Sequence, residues 1–236
     1  MIKAIFFDWF YTLARYSPPR EQLQSEALRS FGISIPPEII FPALLAADRE
    51  LFNEHAVSPI TKRSREEQLE VYTRYQQTLL TSAGVDISNN PDIVPKTMKK
   101  AQELYKDVQF ALFDDVIPLL KVLKEQNITM GLVTNMDSDM RPVCKELGLG
   151  SYLDFVVTSG EVGFDKPQPQ IFLEALMRAK TEPVDTLHVG DQYNIDAAGA
   201  MAVGINALLL DRFNQYPEIT DCPLIHGLAE ISEYIK

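Results

Sequence analysis

The sequence predicts an α/β fold with a parallel β-sheet and an all-helical insert after the first strand. A short apolar run, Lys3 to Phe7, ends in Asp8, which is the pattern of a buried strand in a parallel sheet. Residues 14–107 then have helical patterns and no convincing buried strand. From Phe113 onward, apolar strand-like runs alternate with helical patterns. This alternation is typical of a parallel sheet with helices on both faces.

The insert contains four predicted helices. The first runs from Glu21 to Phe31 and ends at Gly32, and the second begins at Pro36-Pro37. Ser64 and Glu67 form a capping-box pattern at the start of the third. An apolar stripe is expected along that third helix, made of Leu69, Tyr72, Tyr75 and Leu79. The fourth opens at Pro91 or Pro95 and reaches about Tyr105, so that residues 14–107 are predicted to form a four-helix bundle.

The remainder, residues 1–13 with 108–236, is predicted to form the sheet and its helices. The predicted strands after the first are Ile128–Val133, Phe155–Thr158, Thr186–Val189 and Asn206–Leu210. The predicted helices are Asp115–Gln126, Asp139–Leu147, Pro169–Ala179, Asn194–Val203 and a last amphipathic helix, Leu228–Ile235.

The composition is that of a globular protein. The chain has 236 residues, and the 46% hydrophobic fraction argues against disorder. The net charge of −11 argues against nucleic acid as a partner, because non-specific binding needs a basic face. It does not exclude an anionic substrate, since a metal ion and one lysine can reverse the local potential.

The cysteines and the apolar runs indicate a cytoplasmic protein with no membrane partner. Cys144 and Cys222 have no paired metal-ligand spacing, so both are expected to be thiols in a reducing compartment. No apolar run reaches the roughly 18 residues of a membrane span. The apolar run at the start, Lys3 to Phe7, is too short for a signal sequence and is followed by Asp8.

Polar side chains follow four of the predicted strands, where ligands bind in open α/β sheets. Each group alone is of a kind that is common in turns and at helix caps. Together and in this order they predict a site for a metal ion and an anion. The groups are Asp8 with Thr12, Thr134 with Asn135, Lys166 with Pro167, and Gly190 and Asp191 with Asp196. His188, within a strand, is expected in the core or behind this site.

These residues resemble the motifs of the haloacid dehalogenase-like (HAD) hydrolase superfamily, nearly from end to end of the chain. The resemblance implies a Rossmann-like core with a small helical cap, and it is greatest to the rhythmically-expressed-gene-2-like branch. The four matching segments are Phe6 to Leu13, Val133 to Asn135, Gly163 to Phe172, and His188 to Asp191 followed by Asp196, Gly199-Ala200 and Gly204.

The resemblance implies a Mg²⁺-dependent phosphatase acting on a small phosphorylated metabolite. Asp8 would be the nucleophile that becomes an aspartyl-phosphate. Asp8, the main-chain carbonyl of Phe10 and Asp191 would hold Mg²⁺, with Asp196 supporting that site. The expected phosphate-binding groups are Thr12, Thr134, Asn135 and Lys166. Among these, Thr134 and Lys166 are also expected to act in catalysis.

Phe10 is a departure from the family pattern. Phosphatases of the family carry an aspartate there, which protonates the leaving oxygen and later activates water. Phenylalanine can do neither, so slow turnover is expected on alkyl esters, and activated aryl or acyl phosphates are expected to need the acid less. Tyr11 stands where a glycine often follows. It either packs beside the site or contributes its hydroxyl.

Three alternatives remain open from the sequence. The chain could be a non-catalytic protein that binds phosphate and metal, as Phe10 suggests. A 2-haloacid dehalogenase is less favoured, because Gly190-Asp191 is retained. A phosphonatase is less favoured too, because that enzyme's cap motif is absent. Substrate identity is not readable, and the chain is expected to be a monomer or a homodimer.

Overall fold

The computed structural model describes residues 1–235, which form two compact units. The first, called here the sheet unit, combines Met1–Arg15 with the residues from Ala111 onward. The second, the helical unit, is Tyr16–Phe110. Within the described residues, no helix is both long enough and apolar enough to cross a membrane.

Eight strands are present in the described chain. They are β1 (Ala4–Phe7), β2 (Ala14–Ser17), β3 (Gln109–Leu112), β4 (Thr129–Thr134), β5 (Phe155–Thr158), β6 (Thr186–Gly190), β7 (Asn206–Leu210) and β8 (Leu224–Ile225). Six of them form one sheet in the order β5-β4-β1-β6-β7-β8, and every pairing described in it is parallel. The predicted α/β class with a parallel sheet is confirmed. Strands β2 and β3 pair separately.

Nine α-helices accompany the strands in residues 1–235. They are α1 (Arg20–Arg29), α2 (Pro37–Val57), α3 (Arg65–Ser82), α4 (Ile93–Leu104), α5 (Val116–Glu125), α6 (Arg141–Glu146), α7 (Ser159–Val162), α8 (Pro169–Ala179) and α9 (Ala198–Ala202).

Strand β1 lies inside the sheet between β4 and β6. All four of its residues are fully buried, which explains its continuous apolar sequence. Phe7 is in register with Leu132 of β4 and with Val189 of β6. The parallel register brings the carboxyl ends of the three strands to one edge of the sheet, where their polar residues meet.

Helix α8 covers part of this sheet with an apolar face. Ile171 and Phe172 belong to the same buried cluster as Phe6, Val133 and Val157 of β1, β4 and β5. Gly199 in α9 permits a close approach, because a Cβ there would lie 2.8 Å from the Pro167 side chain. The loop that carries Lys166 is thereby held against a helix.

The helical unit contains α1 to α4 around its own apolar core. Leu28, Leu44, Leu79 and Leu80 are fully buried in that core. The capping box predicted at Ser64 and Glu67 is present in both directions. Inside the unit, the Arg20 guanidinium pairs with both oxygens of Asp48, which also accepts a hydrogen bond from the Tyr75 hydroxyl.

The apolar stripe predicted for α3 is partly wrong. Leu69 and Tyr72 are 61% and 45% exposed, whereas Val71 and Leu80 are buried with Leu79. The buried face is therefore rotated around the helix from the predicted one. Helical spacing of 3.6 residues allows two overlapping stripes here, and packing against α2 and α4 selects one.

Two other element predictions need correction. The predicted helix Asn194–Val203 is a π-helical segment, Tyr193–Ala197, followed by the α-helical Ala198–Ala202. The predicted last helix is a 3₁₀ segment, Leu228–Glu233. Both 3₁₀ and π-helical segments are usually short, and π-helical segments are frequent at functional sites.

Candidate active site

Asp8 lies directly after β1 at the carboxyl edge of the sheet. Its main-chain N–H donates to the Val189 carbonyl at 2.9 Å, so the strand pairing continues to the residue itself. The residue is only 8% exposed. A nearly buried carboxylate needs hydrogen-bond donors or a counter-charge.

Lys166 provides that counter-charge. Its Nζ donates to Asp8 Oδ1 and to Asp196 Oδ1, each at 2.6 Å. The lysine side chain is 1% exposed. A buried ammonium is stable when it is paired in this way, and the two neighbouring carboxylates raise the pKa of Lys166 although burial lowers it.

Three carboxylates meet at this point. Single oxygens of Asp8, Asp191 and Asp196 lie within 4.8 Å of one another. One ammonium, that of Lys166, pairs with two of the three, Asp8 and Asp196. Carboxylate oxygens at such separations are the ligands that Mg²⁺ and similar hard cations prefer, so the donor set fits the predicted magnesium site.

The pKa values of these carboxyls reflect the crowding. Burial raises the pKa of Asp8 to about 6, with the charge of Asp196 adding to the effect and Lys166 opposing it. Burial also raises the pKa of Asp191 well above its ordinary value, and the charges of Asp8 and Asp196 act in the same direction. A bound cation would favour the ionised forms of both groups.

Asp196 differs from the other two because its oxygens are surrounded by donors. Oδ1 accepts from Lys166 and lies 3.0 Å from His188 Nε2, and Oδ2 accepts from the main-chain N–H of Gln192 at 3.1 Å. Burial alone would raise the pKa of Asp196, but Lys166 and the His188 hydrogen bond lower it to about 2. Asp196 is therefore an ionised anchor for Lys166.

His188 and Gly190 both serve this anchor. His188 is fully buried in β6, as predicted from its place in a strand, and burial lowers its pKa. Gly190 leaves room for the Asp196 carboxylate, because a Cβ at residue 190 would lie 2.2 Å from Asp196 Cγ. The motif glycine is needed for this close approach.

Asn135 holds the loop of Lys166 in place. Its side-chain Oδ1 accepts from the Lys166 main-chain N–H at 2.7 Å, and its Nδ2 donates to the Lys166 carbonyl at 3.0 Å. The sequence predicted a phosphate contact from the Asn135 amide, which stays a prediction. The clamp on Lys166 was missed, since residues 31 apart in the chain give no local signal.

Thr134 and Thr12 are both buried at this edge. Thr134 is the last residue of β4, and Thr12 lies in the segment after Asp8. Thr12 Oγ1 has no hydrogen-bond partner among the described residues. The Thr12 carbonyl accepts from Arg212, whose guanidinium also pairs with both oxygens of Asp115. Arg212 was missed because it follows a distant strand, β7.

Aromatic rings surround the segment after Asp8. The Phe10 and Tyr11 rings have centroids 4.4 Å apart, and the Phe213 ring meets Tyr11 edge-on at 5.4 Å. Tyr11 has φ of 59°, the left-handed conformation that glycine adopts without strain. This conformation explains why a glycine suits the position. In this chain the ring contacts with Phe10 and Phe213 stabilise a tyrosine there.

The described chain thus brings together most of the predicted groups. Asp8, Lys166, Asp191 and Asp196 are in one cluster, and Thr134 ends the strand beside β1. The roles of the Phe10 carbonyl, Thr12, Thr134 and Asn135 toward a metal or a phosphate stay predictions. A carboxylate after β1, a buried lysine and an acidic cluster therefore meet at the carboxyl edge of a parallel sheet, where α/β proteins bind their ligands.

The model of the haloacid dehalogenase-like hydrolase family matches residues 2–204. The chain belongs to this family, and the predicted superfamily membership is confirmed.

Relatives with assigned names include phosphatases. The chain is 31% identical over 219 residues to glyceraldehyde 3-phosphate phosphatase of Methanopyrus kandleri, covering 90% of this chain and 85% of that protein. It is 37% identical over 114 residues to haloacid dehalogenase-like hydrolase domain-containing protein 3 of Mus musculus. That match covers 47% of this chain and 45% of the mouse protein, so the chain spans less than half of that relative.

Solved structures have the same fold. The HAD hydrolase YfnB of Bacillus subtilis, solved with bound magnesium, superposes with a TM-score of 0.67 at 19% identity. The comparison covers 100% of this chain and 99% of that one. At 19% identity this likeness concerns the fold.

Proposed function

We propose that this protein is a Mg²⁺-dependent phosphatase that acts on a small phosphorylated metabolite through an aspartyl-phosphate on Asp8. One observation carries the proposal: the Asp8 carboxylate is held 2.6 Å from the Lys166 ammonium inside a cluster with Asp191 and Asp196. The Methanopyrus kandleri relative, named for a three-carbon sugar phosphate, supports a small phosphorylated substrate.

The residues that would hold Mg²⁺ are Asp8 and Asp191, with the Phe10 carbonyl as a third oxygen and Asp196 behind them. When bound, the cation would neutralise the repulsion between the Asp8 carboxylate and an incoming phosphate, both of which are anions. Lys166 adds a fixed positive charge at the same place. Asp196 holds its ammonium and Asn135 holds its main chain in position.

In the first step an Asp8 oxygen forms a bond to phosphorus, and the bond from phosphorus to the leaving oxygen breaks with its electron pair going to that oxygen. In the second step water attacks the aspartyl-phosphate, releasing inorganic phosphate and regenerating the Asp8 carboxylate. Phe10 offers no proton to the leaving oxygen. Leaving groups that depart as stable anions, such as phenolates, are therefore expected to react faster than alkoxides.

The test is hydrolysis of p-nitrophenyl phosphate and of glyceraldehyde 3-phosphate, with Mg²⁺ and with EDTA. We expect turnover that requires Mg²⁺ and is lost by at least about 10⁴-fold in Asp8→Asn, as for removal of other covalent nucleophiles. Mass spectrometry of acid-quenched protein should detect phosphate on the parent and none on Asp8→Asn. Full activity in Asp8→Asn would rule out covalent catalysis through this residue.

A second function, phosphate and metal binding without turnover, is favoured by one observation, the phenylalanine at position 10. It predicts that titration calorimetry detects binding of phosphate and Mg²⁺ while no phosphate ester is hydrolysed. Release of chloride from 2-chloropropionate would instead identify a dehalogenase, which needs no acid for its leaving group.

A further inference from the structure

Two buried side chains behind Asp191 have no part in the proposed mechanism so far. Gln192 Nε2 donates to Asp191 Oδ2 at 2.6 Å, and the Tyr216 hydroxyl donates to Gln192 Oε1 at 3.0 Å. Gln192 is 8% exposed and Tyr216 is 5% exposed. The Gln192 amide nitrogen faces Asp191, and its oxygen is then available to accept from the tyrosine.

Tyr216 is fixed through its main chain and through its ring. Its main-chain N–H donates to Asp211 Oδ2 at 2.9 Å, and the neighbouring Gln215 N–H donates to Asp211 Oδ1 at 2.7 Å. Asp211 directly follows β7 and is itself buried. The Tyr216 ring packs in the apolar cluster of the sheet unit. The hydroxyl therefore has a defined position before any ligand binds.

Gln192 is fixed just as firmly. Its main-chain N–H donates to Asp196 while its side chain holds Asp191, so one residue contacts two acids of the cluster. The Gln192 amide contacts Oδ2 of Asp191 and not Oδ1. The amide thus sets the rotation of the Asp191 carboxylate and leaves one oxygen for a cation.

We propose that Gln192 is a positioning residue for Asp191, that Tyr216 positions Gln192, and that this relay sets the affinity of the site for its divalent cation. The inference rests on the proposed function, since it assigns Asp191 as a metal ligand. Residues that orient a metal ligand by a hydrogen bond typically contribute about 10- to 100-fold to metal affinity. Tyr216 acts one step further away and contributes less.

The experiment is calorimetric titration of the substrate-free protein with Mg²⁺ and with Mn²⁺ at neutral pH. Gln192→Met keeps the length of the side chain and removes the amide, so we expect a Kd raised about 10- to 100-fold. Tyr216→Phe removes one hydroxyl, and we expect a rise of about two- to tenfold, the equivalent of one hydrogen bond. Thermal unfolding without metal verifies that each variant is folded.

The double variant tests whether the two residues act in series. If Tyr216 acts only through Gln192, Gln192→Met combined with Tyr216→Phe has the Kd of Gln192→Met alone. Tyr193→Phe is the matched control. Its hydroxyl donates to Asp221 at 2.6 Å, away from the acidic cluster, and its removal should leave the Kd unchanged.

A kinetic readout separates positioning from general damage. In Gln192→Met the Mg²⁺ concentration for half-maximal activity should rise, while kcat at saturating Mg²⁺ and KM for the phosphate ester should stay within about twofold of the parent. A loss of kcat that excess Mg²⁺ does not restore would overturn the relay.

The outcomes distinguish this inference from the proposed function. If the parent binds Mg²⁺ and Gln192→Met binds it equally well, the relay is overturned and the phosphatase proposal is untouched. If Tyr193→Phe weakens binding as much as Tyr216→Phe, the effect belongs to the whole segment and the relay is overturned. If the parent binds neither cation, the metal-dependent function fails and the relay with it.

Discussion

The Nζ of Lys166 lies 2.6 Å from Oδ1 of Asp8, although 158 residues separate the two in the chain. The same ammonium lies equally close to Asp196 Oδ1. Lys166 is almost fully buried, so its charge is balanced inside the protein by these two carboxylates. The three residues therefore stabilise one another, and a change in one alters the cost of burying the others.

Lys166→Met is expected to lower the free energy of unfolding by about 3–5 kcal/mol at neutral pH, because it leaves buried carboxylates without their ammonium. Urea unfolding measures this. Asp196→Asn removes the charge that Lys166 offsets, so the double variant should be more stable than the sum of the two single effects by at least about 1 kcal/mol. Strict additivity would mean that the buried residues do not interact energetically.

Asp8 should make the metal-free protein less stable as the pH rises from about 4 to about 6. Its pKa is raised from 3.8 to about 6 in the folded chain, so the folded state holds the proton over a range where the unfolded state has lost it. Stability from this group is complete below about pH 4 and is lost as the pH approaches 6 and beyond, by roughly 3 kcal/mol.

Comparison with Asp8→Asn removes the titration of Asp8 together with the shifts that its charge causes in the pKa values of Asp191 and Lys166. In EDTA, the stability of the parent relative to Asp8→Asn should fall across that pH range. With Mg²⁺ the trend should reverse for the parent, since a cation favours the ionised carboxylate. A difference that is independent of pH in EDTA would contradict the raised pKa of Asp8.

Gly190→Ala is expected to displace the Asp196 carboxylate, because the new Cβ would lie 2.2 Å from Asp196 Cγ. Overpacking of this kind costs about 1–3 kcal/mol, and phosphatase activity should fall with it. Gly150→Ala is the matched control, since its Cβ would meet Lys145 at an ordinary 3.6 Å. Equal melting temperatures for the two variants would contradict the close contact at Gly190.

Phe10→Asp is expected to raise turnover of alkyl phosphates more than that of aryl phosphates. An acid at this position can protonate the leaving oxygen, which an alkoxide needs and a nitrophenolate does not. General acid catalysis contributes about 10²–10⁴-fold. The kcat for glyceraldehyde 3-phosphate should therefore rise by a factor that does not exceed this range. Phe10→Asn is the control, because asparagine matches aspartate in size but has no acidic proton to donate. Equal gains on both substrates would show that Phe10 does not limit proton transfer.

Much of the fold is determined by local pattern. The strands Phe155–Thr158 and Asn206–Leu210 and the helix Pro169–Ala179 have the bounds predicted for them. A continuous apolar run and a proline at a helix start are physical requirements that each segment meets by itself. Strand β8 was missed, because its two residues become a strand only by pairing with Leu209 and Leu210.

The C-terminal segment illustrates the limit of periodicity. Leu228 and Ile231 are buried as an amphipathic pattern requires, but the segment is a short 3₁₀ turn in place of the predicted longer helix. Spacing of three residues fits both kinds of helix, and the capping by Glu230 at Gly227 belongs to this particular turn.

The sequence by itself determined the sheet, the order of its polar strand ends and the carboxylate, hydroxyl and lysine residue types at those ends. These follow from hydrophobic period and from the rule that parallel strands end at one edge. Only the tertiary structure decided that Asp196 faces Lys166 and His188, that Asn135 clamps the Lys166 loop, and that Tyr216 reaches Asp191 through Gln192. Hydrogen bonds between distant segments depend on side-chain geometry in three dimensions, which no local pattern encodes.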